Sequence, residues 1–307
     1  MDRHPAVSVV VPARNEASSI GRCLRGLRAQ DYPPELVEIL VVDDGSGDET
    51  ARVAESCGVG VLRGPRRGVA RARNEGIRRT RGEIVAFTDA DCVPHPAWLR
   101  ELTAGFDDPR VGVVAGDVLG LRLDTPVARF VEEGRFMRAD ALAATPGGPV
   151  AITANVAYRR RVFDLVGLFD ERLRSATDME MTWRVMRDGR FLVAWRPSAV
   201  VFHDHPRTLA EMLRQAHRWG AGGAAVHRKY GHRASLLYEL EHKAWMVAAG
   251  CAVAPARALW RMTGGRRRAR GAGSPLFPFL QAARTAAFAA GWIQGVLRPE
   301  GDGGWDG

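Results

Sequence analysis

Lysine is almost missing from this chain. Of 44 basic residues only Lys229 and Lys243 are lysines, and the rest are arginines. That skew reads as composition bias rather than as a nucleic-acid-binding arm. Against 35 acidic residues the net charge is +9, which favours anionic partners such as phosphates or acidic lipid. Cysteine is scarce as well. Cys23, Cys57, Cys92 and Cys251 lie far apart with no C-x-x-C pair. This excludes a zinc knuckle or a disulfide framework and fits a reducing, cytoplasmic setting. No apolar run is long enough to span a bilayer. The longest uncharged apolar runs without an internal turn signal, 244–256 and 285–297, have 13 residues each, against the roughly 20 that a spanning helix needs. Residues 1–5 are polar and the apolar run after them is strand-length, so no secretory signal is expected. Two nucleotide signatures are also absent. Between the first strand and helix stands Pro12-Ala13-Arg14-Asn15-Glu16 where a dinucleotide fold places G-x-G-x-x-G, and no G-K-[ST] occurs anywhere.

What is present is a globular composition, with 46% hydrophobic and 26% charged residues over 307 positions. That suffices for one large α/β domain with an appendage. Strand and helix signals alternate through the first two hundred residues. Residues 6–12 (AVSVVVP), 37–43 (VEILVVD), 59–62 and 83–88 read as buried strands, and 16–30, 48–57 and 69–80 as helices. This order implies a mostly parallel, Rossmann-like sheet flanked by helices, with ligands bound beyond the carboxyl ends of the strands. Further on, 111–119 and 151–158 read as strands, 125–144 and 179–187 as helices, and 191–195 and 199–202 as two short strands. From position 208 the pattern is helical, over 209–230, 236–254 and 276–297. The expected division is a catalytic, nucleotide-binding domain over 1–205, a helical region over 206–298 and a disordered tail over 299–307.

Polar clusters follow three of the strands. Asp89-Ala90-Asp91 comes directly after one. Carboxylates at i and i+2 can converge on Mg²⁺ or Mn²⁺, which prefer hard oxygen ligands and bridge a carboxylate to a diphosphate. They can equally make a polar loop in which one carboxylate caps the next helix, expected over 95–106. Asp43-Asp44-Gly45-Ser46-Gly47-Asp48 offers an acid for a base N–H or a ribose hydroxyl, or a turn with an N-cap. In residues 68–76 (GVARARNEG), Arg71 reads as a solvated side chain and Arg73 with Asn74 as functional, since a guanidinium fork suits phosphate. His203 sits past a strand, open to a role as Mn²⁺ ligand or as a loop histidine. His205 reads as structural, and His217 as filling a variable position. Most tryptophans, among them Trp183, Trp195, Trp245, Trp260 and Trp292, read as core or interface, while Trp98 is the candidate to cover a donor.

The strings VSVVVPARNE, ILVVDDGSGDET, GVARARNEG, GEIVAFTDADC, FDERLRSATDMEMTWRVMRDG and QAHRW occur in this order between residues 7 and 219. Together they resemble the family 2 glycosyltransferases, inverting enzymes of the GT-A fold. The resemblance implies that Pro12, Arg14, Glu16 and Asp44 line the nucleoside pocket of a sugar nucleotide. Asp89 would approach the ribose, Asp91 would bind the metal, and Arg73 or Arg218 would meet the leaving diphosphate. Asp178 stands where the family has its general base. The family often has Glu-Asp there, whereas this chain has Thr177-Asp178, so Glu180 is a candidate for the missing support. Gln215, Arg218 and Trp219 match a Q-x-x-R-W motif that contacts the acceptor and the diphosphate end of the donor in processive, membrane-bound members. This chain lacks the spanning helices that usually follow that motif, which argues against polymer synthesis.

The implied reaction is metal-dependent transfer of one sugar from a UDP- or GDP-type donor to a hydroxyl on a small molecule, peptide or lipid-linked acceptor. Two other classes compete. A nucleotidyltransferase would need a Gly-rich, basic first loop, and Pro12 to Glu16 shows the opposite. A basic, membrane-associated binding module leaves Asp44, Asp89, Asp91 and Asp178 unexplained, and clustered carboxylates disfavour nucleic acid. Apolar C-terminal helices beside Arg266, Arg267, Arg268 and Arg270 point either to peripheral membrane contact, at the inner face of the cell membrane, or to packing and dimerisation.

Overall fold

Every residue of the first strand is buried, as an uninterrupted β-branched run predicts for a strand covered on both faces. This strand, β1 (Val7–Ala13), lies in an eight-stranded sheet in a computed structural model that describes residues 4–145, 148–231 and 276–297. The parallel half is built from β1, β2 (Val37–Asp44), β3 (Gly60–Gly64) and β4 (Ile84–Phe87), joined through α1 (Ile20–Arg28), α2 (Thr50–Ser56) and α3 (Val69–Arg79). The chain continues through β5 (Cys92–Pro94), α4 (Trp98–Thr103), β6 (Val111–Gly120), α5 (Pro126–Glu133) and α6 (Ala139–Ala143). It then forms β7 (Val156–Arg159), α7 (Arg160–Val166), α8 (Thr177–Asp188) and β8 (Leu192–His203). The sheet order is β3-β2-β1-β4-β7-β6-β8-β5. β7 is antiparallel to both β4 and β6, β8 runs parallel to β6, and β5 closes the edge antiparallel to β8. The expected parallel sheet is therefore the first half of a mixed one. Under it, Phe87, Tyr158, Phe163 and Phe169 pack as a cluster of rings 5.1–6.3 Å apart.

Several elements differ from the sequence expectation, among them the following. α1 begins at Ile20 rather than 16, because the preceding loop is stitched to the next one. The amides of Asn15, Glu16 and Ala17 donate to the side chains of Ser46, Thr50 and Asp48. The helix expected over 125–144 is two helices. Gly134 caps the first, and Arg135 follows with a left-handed φ of 54°. The strand expected from 151 starts only at Val156. Finally, 191–195 and 199–202 are parts of one strand, β8, whose pairing with β6 skips from Gly116/Arg196 to Asp117/Val200. Pro197 can supply no ladder N–H in that interval.

Asn155 fills the gap this irregularity leaves. Its Nδ2 donates to the carbonyls of Asp117 (2.7 Å) and Ala199 (2.8 Å), and its Oδ1 accepts the indole N–H of Trp98 at 2.7 Å. Asn155 is fully buried.

Contacts divide the chain into two units, Met1–Arg122 with Arg135–His205, and Leu123–Gly134 with Pro206–Gly307. The first holds the sheet. The second holds α5, α9 (Leu209–Lys229) and α10 (Phe277–Leu297). α9 opens on a reciprocal capping box between Thr208 and Glu211. It meets α10 along a seam of glycines. Gly220 faces the Phe288 carbonyl, Gly291 the His217 carbonyl, and a Cβ on Gly295 would stand 2.6 Å from the Ala221 oxygen. Each glycine in a helix costs about 1 kcal/mol relative to alanine, and here the close backbone approach requires it. Among the described residues no helix is long and apolar enough to cross a membrane. The helix expected over 236–254, the arginine run 266–270 and the tail 299–307 lie outside the described residues.

Asn155→Ala is expected to destabilise the protein by about 3 kcal/mol or more, since it strands two buried carbonyls and an indole N–H. Urea denaturation reads this directly, and a midpoint equal to wild type would show that the gap is filled another way.

Candidate active site

Two strand ends meet at the centre of the candidate site. β4 runs out into Thr88, Asp89, Ala90 and Asp91, and the chain returns at once as β5. β5 pairs with the end of β8 so that Cys92 lies opposite His203. That pairing brings together residues more than a hundred positions apart. His203 Nε2 stands 3.2 Å from Asp91 Oδ2. On the other side of the ring, His203 Nδ1 and His205 Nδ1 are 3.0 Å apart, with both rings buried. Asp89 turns instead toward α3. Its Oδ1 is 3.6 Å from Nη2 of Arg73, itself only 6% exposed. The other Arg73 nitrogen, Nη1, donates to Thr177 Oγ1 at 3.0 Å, and the guanidinium lies 5.8 Å from the centre of the Phe169 ring. Asn74 clamps the same segment through both ends of its amide, donating to the Phe169 carbonyl and accepting the Phe169 amide.

Asp178 occupies the first turn of α8, one residue past Thr177, and is half-buried. Its Oδ1 accepts the Met179 amide at 2.9 Å. Its charge reaches Asp89. Burial pushes the Asp89 carboxyl above the usual carboxylate range, Arg73 and His203 pull it down, and Asp91 and Asp178 push it up. For Asp91 burial also pushes upward, but the His203 ring holds the carboxyl below its ordinary value overall. Burial lowers His203, but Asp91, Asp89 and Asp204 together raise it above its ordinary value. Glu16 belongs to the same electrostatic group. Burial raises it against the Ser19 hydroxyl bond, and Asp91, Asp89 and Asp48 raise it further.

The remaining expected residues fall into three groups. Pro12 is buried within β1, opposite Val42 of β2, while Arg14 just beyond it is exposed and has no hydrogen bond or ion pair among the described residues. Asp44 is engaged by the backbone. Its carboxylate accepts the amides of Arg67 (2.7 Å) and Gly68 (2.9 Å) and so closes the loop into α3. Gly45, at φ +71°, has no room for a Cβ, which would stand 2.6 Å from the Arg66 nitrogen. Gln215, Arg218 and Trp219 share one face of α9 in the second unit, at helical spacing. Arg284 of α10 sits 5.8 Å from the centre of the Trp219 ring, and burial lowers this arginine to about 10.

Two expectations are corrected. Trp98 is fully buried and bonded to Asn155, so it belongs to the core and does not cover a donor. Glu180, the candidate to support Asp178, is fully buried and pairs with Arg184 of its own helix at 3.0 Å. Asn155 was missed, because a single polar residue inside an apolar stretch gives no signal of the partners that satisfy it. Thr177 was seen only as a departure from the family's Glu-Asp, because nothing local in the sequence points to Arg73 as its partner.

Among the described residues no group of three or more His, Cys, Asp or Glu side chains is arranged to hold a metal ion. Asp91 and His203 supply two donor atoms on facing sides of one contact. Mg²⁺ and Mn²⁺ are commonly held by one or two protein ligands with phosphate oxygens and water completing the shell. The donor set fits such a site, and its imidazole suits Mn²⁺.

A mixed sheet with a polar rim at the carboxyl ends of its parallel strands makes this an α/β protein of the GT-A type. The same fold is seen in a mannosyltransferase, PcManGT, from Pyrobaculum calidifontis, solved in complex with GDP-Man and Mn²⁺. That structure matches with TM-score 0.65 at 24% identity over 96% of this chain and 88% of the other. TarS from S. aureus, in complex with UDP, matches with TM-score 0.51 at 19% identity over 94% of this chain and 90% of the other. Residues 8–167 match the model for glycosyl transferase family 2, and the chain belongs to that family. The pre-mycofactocin glycosyltransferase of Mycobacterium tuberculosis is 32% identical over 232 residues, 73% of this chain and 48% of that protein. The chain thus spans about half the length of this relative. Glycosyltransferase AglE of Haloferax volcanii is 32% identical over 235 residues, 72% of this chain and 74% of that protein.

The raised Glu16 has a consequence for stability. A carboxyl whose folded-state pKa lies above its unfolded value stabilises the fold below the unfolded pKa. It loses that contribution as pH rises through the folded one. Glu16→Gln removes the ionisation. The variant is expected to melt higher than wild type at about pH 8, with the difference vanishing toward about pH 4. A shift of equal size at both ends of a thermal-melt series would contradict it.

Proposed function

We propose that this protein is a metal-dependent, inverting glycosyltransferase. It would move one sugar from a UDP- or GDP-type donor to a hydroxyl on a small-molecule, peptide or lipid-linked acceptor. The observation that carries this reading is the bridge through Arg73, which joins the Asp89 side of the site to the first turn of the helix bearing Asp178. The Asp89 carboxylate and the helix turn that carries Asp178 are thereby tied to one buried cation. Family membership, a fold neighbour solved with GDP-Man and Mn²⁺ and another solved with UDP support the donor class.

In this reading residues 1–205 bind the donor and carry the chemistry. Pro12, Arg14, Glu16 and Asp44 form the nucleoside side, with Asp89 toward the ribose. Asp91 and His203 hold Mg²⁺ or Mn²⁺, which when bound neutralises the charge that develops on the departing diphosphate. Asp178 takes the proton from the acceptor hydroxyl as its oxygen attacks the anomeric carbon on the face opposite the diphosphate. The glycosidic bond forms as the bond to the diphosphate breaks, so no enzyme nucleophile takes part. Residues 206–298 would then serve the acceptor, with Gln215, Arg218 and Trp219 as the contacts and a membrane surface or a second copy as neighbour.

General-base assistance contributes on the order of 10²–10⁴ in rate. Asp178→Asn is therefore expected to lose at least about a hundredfold in turnover while its affinity for the nucleoside diphosphate stays close to wild type. NMR of the product should show an inverted anomeric centre. Wild-type turnover in the variant, or retention at that centre, would refute the assignment. Thermal shift tests the donor side separately. UDP or GDP is expected to raise the melting temperature more with Mn²⁺ than without it, and identical shifts with and without Mn²⁺ would remove the metal from the reading.

A further inference from the structure

The start of α8 is held in an unusual way. Its first residue, Thr177, follows Ala176 in the left-handed region at φ 56°, a conformation that side chains with a Cβ disfavour. No side chain caps this end of the helix. Thr177 is 2% exposed, and its hydroxyl accepts Nη1 of Arg73 at 3.0 Å. Among the described residues this is the hydrogen bond that Arg73 makes. Its Nε is buried without a partner, and its ion pair with Asp89 is stretched to 3.6 Å. A buried guanidinium is costly unless its donors are met. The Thr177 hydroxyl therefore settles where Arg73 lies, and Arg73 in turn fixes the distance between the Asp89 loop and the first turn of α8. A second hydroxyl, of Thr182, donates to the Asp178 carbonyl at 2.7 Å and accepts the Ala151 amide at 3.0 Å, anchoring the same turn to the body of the unit.

We infer that Thr177 is a positioning residue. By holding Arg73 across to Asp89, its hydroxyl sets where the Asp178 carboxylate stands relative to the donor end of the site. The inference rests on the reading of Asp178 as general base. Thr177 itself touches neither the nucleoside side nor the Asp91–His203 pair and reaches the donor end only through Arg73 and Asp89, so its loss bears first on the chemical step and less on donor capture. A neutral acceptor also matters here. A carboxylate at this position would add another negative charge beside Asp178 and Asp89, and Arg73 could then be drawn away from Asp89 toward it.

Thr177→Val keeps the branched shape and removes the acceptor, whereas Thr177→Ser keeps the acceptor. The valine variant is expected to lose about tenfold or more in kcat, in keeping with the loss of a hydrogen bond to a buried charge. Its donor KM and its Kd for UDP or GDP, by calorimetry, should stay within about twofold of wild type, and the serine variant should recover most of kcat. A valine variant with wild-type kcat overturns the inference and leaves Asp178 as base. So does a parallel loss of donor affinity and kcat that serine fails to restore, since that marks a general structural role. If Asp178→Asn turns over like wild type, the base reading fails first and this inference fails with it.

Discussion

Glu16, Asp89, Asp91 and Asp178 crowd their charges into one region, and Arg73 and His203 oppose them. Burial makes that crowding expensive, because a carboxylate out of water must find a cation or a proton. The two cations divide the work. His203 faces Asp91, and Arg73 faces Asp89 and Thr177. Such a cluster is poorly neutralised by itself and is suited to a partner that brings positive charge and takes up negative charge together. A divalent ion on a diphosphate is a partner of that kind. The proposed chemistry thus rests on this imbalance.

The scaffold keeps that imbalance from unfolding the strand ends. Loops that would otherwise fray are stitched to each other. Asn15, Glu16 and Ala17 bond to Ser46, Thr50 and Asp48, and Asp44 closes the loop into α3 through the Arg67 and Gly68 amides. Several polar residues that look catalytic by type are therefore braces by contact. Asp44 is such a brace, although its carboxylate has lone pairs beyond those the two amides use. Farther back, Asn155 repairs the irregular ladder between β6 and β8, and the far end of β8 delivers His203 to Asp91 through its pairing with β5.

The second unit follows other physics. Among the described residues α9 and α10 approach closely through the backbones at Gly220, Gly291 and Gly295, with Trp292 buried beside Gly223, His227 and Phe288. Packing of that kind depends on small residues at fixed positions, while Phe279, Ile293 and Leu297 of α10 stay exposed. Gln215, Arg218 and Trp219 ride on this helix pair, with the Trp219 ring next to Arg284.

Local pattern alone was enough for the parallel half of the sheet, because a buried strand must be continuously apolar and a helix must repeat its apolar face. Residues 6–12, 37–43 and 83–88 carried those patterns, and the acids after them marked the strand ends. The family was legible in the same way, since its motifs are short and local in the chain. Tertiary structure alone decided which of those acids share a charge field. His203 reaches Asp91 only through the pairing of β5 with β8, and Thr177 reaches Asp89 only through Arg73. It also decided that Trp98 is core, that the 125–144 segment breaks at Gly134 and Arg135, and that 191–195 and 199–202 form one strand. Those outcomes depend on partners far away in sequence, which no local periodicity encodes.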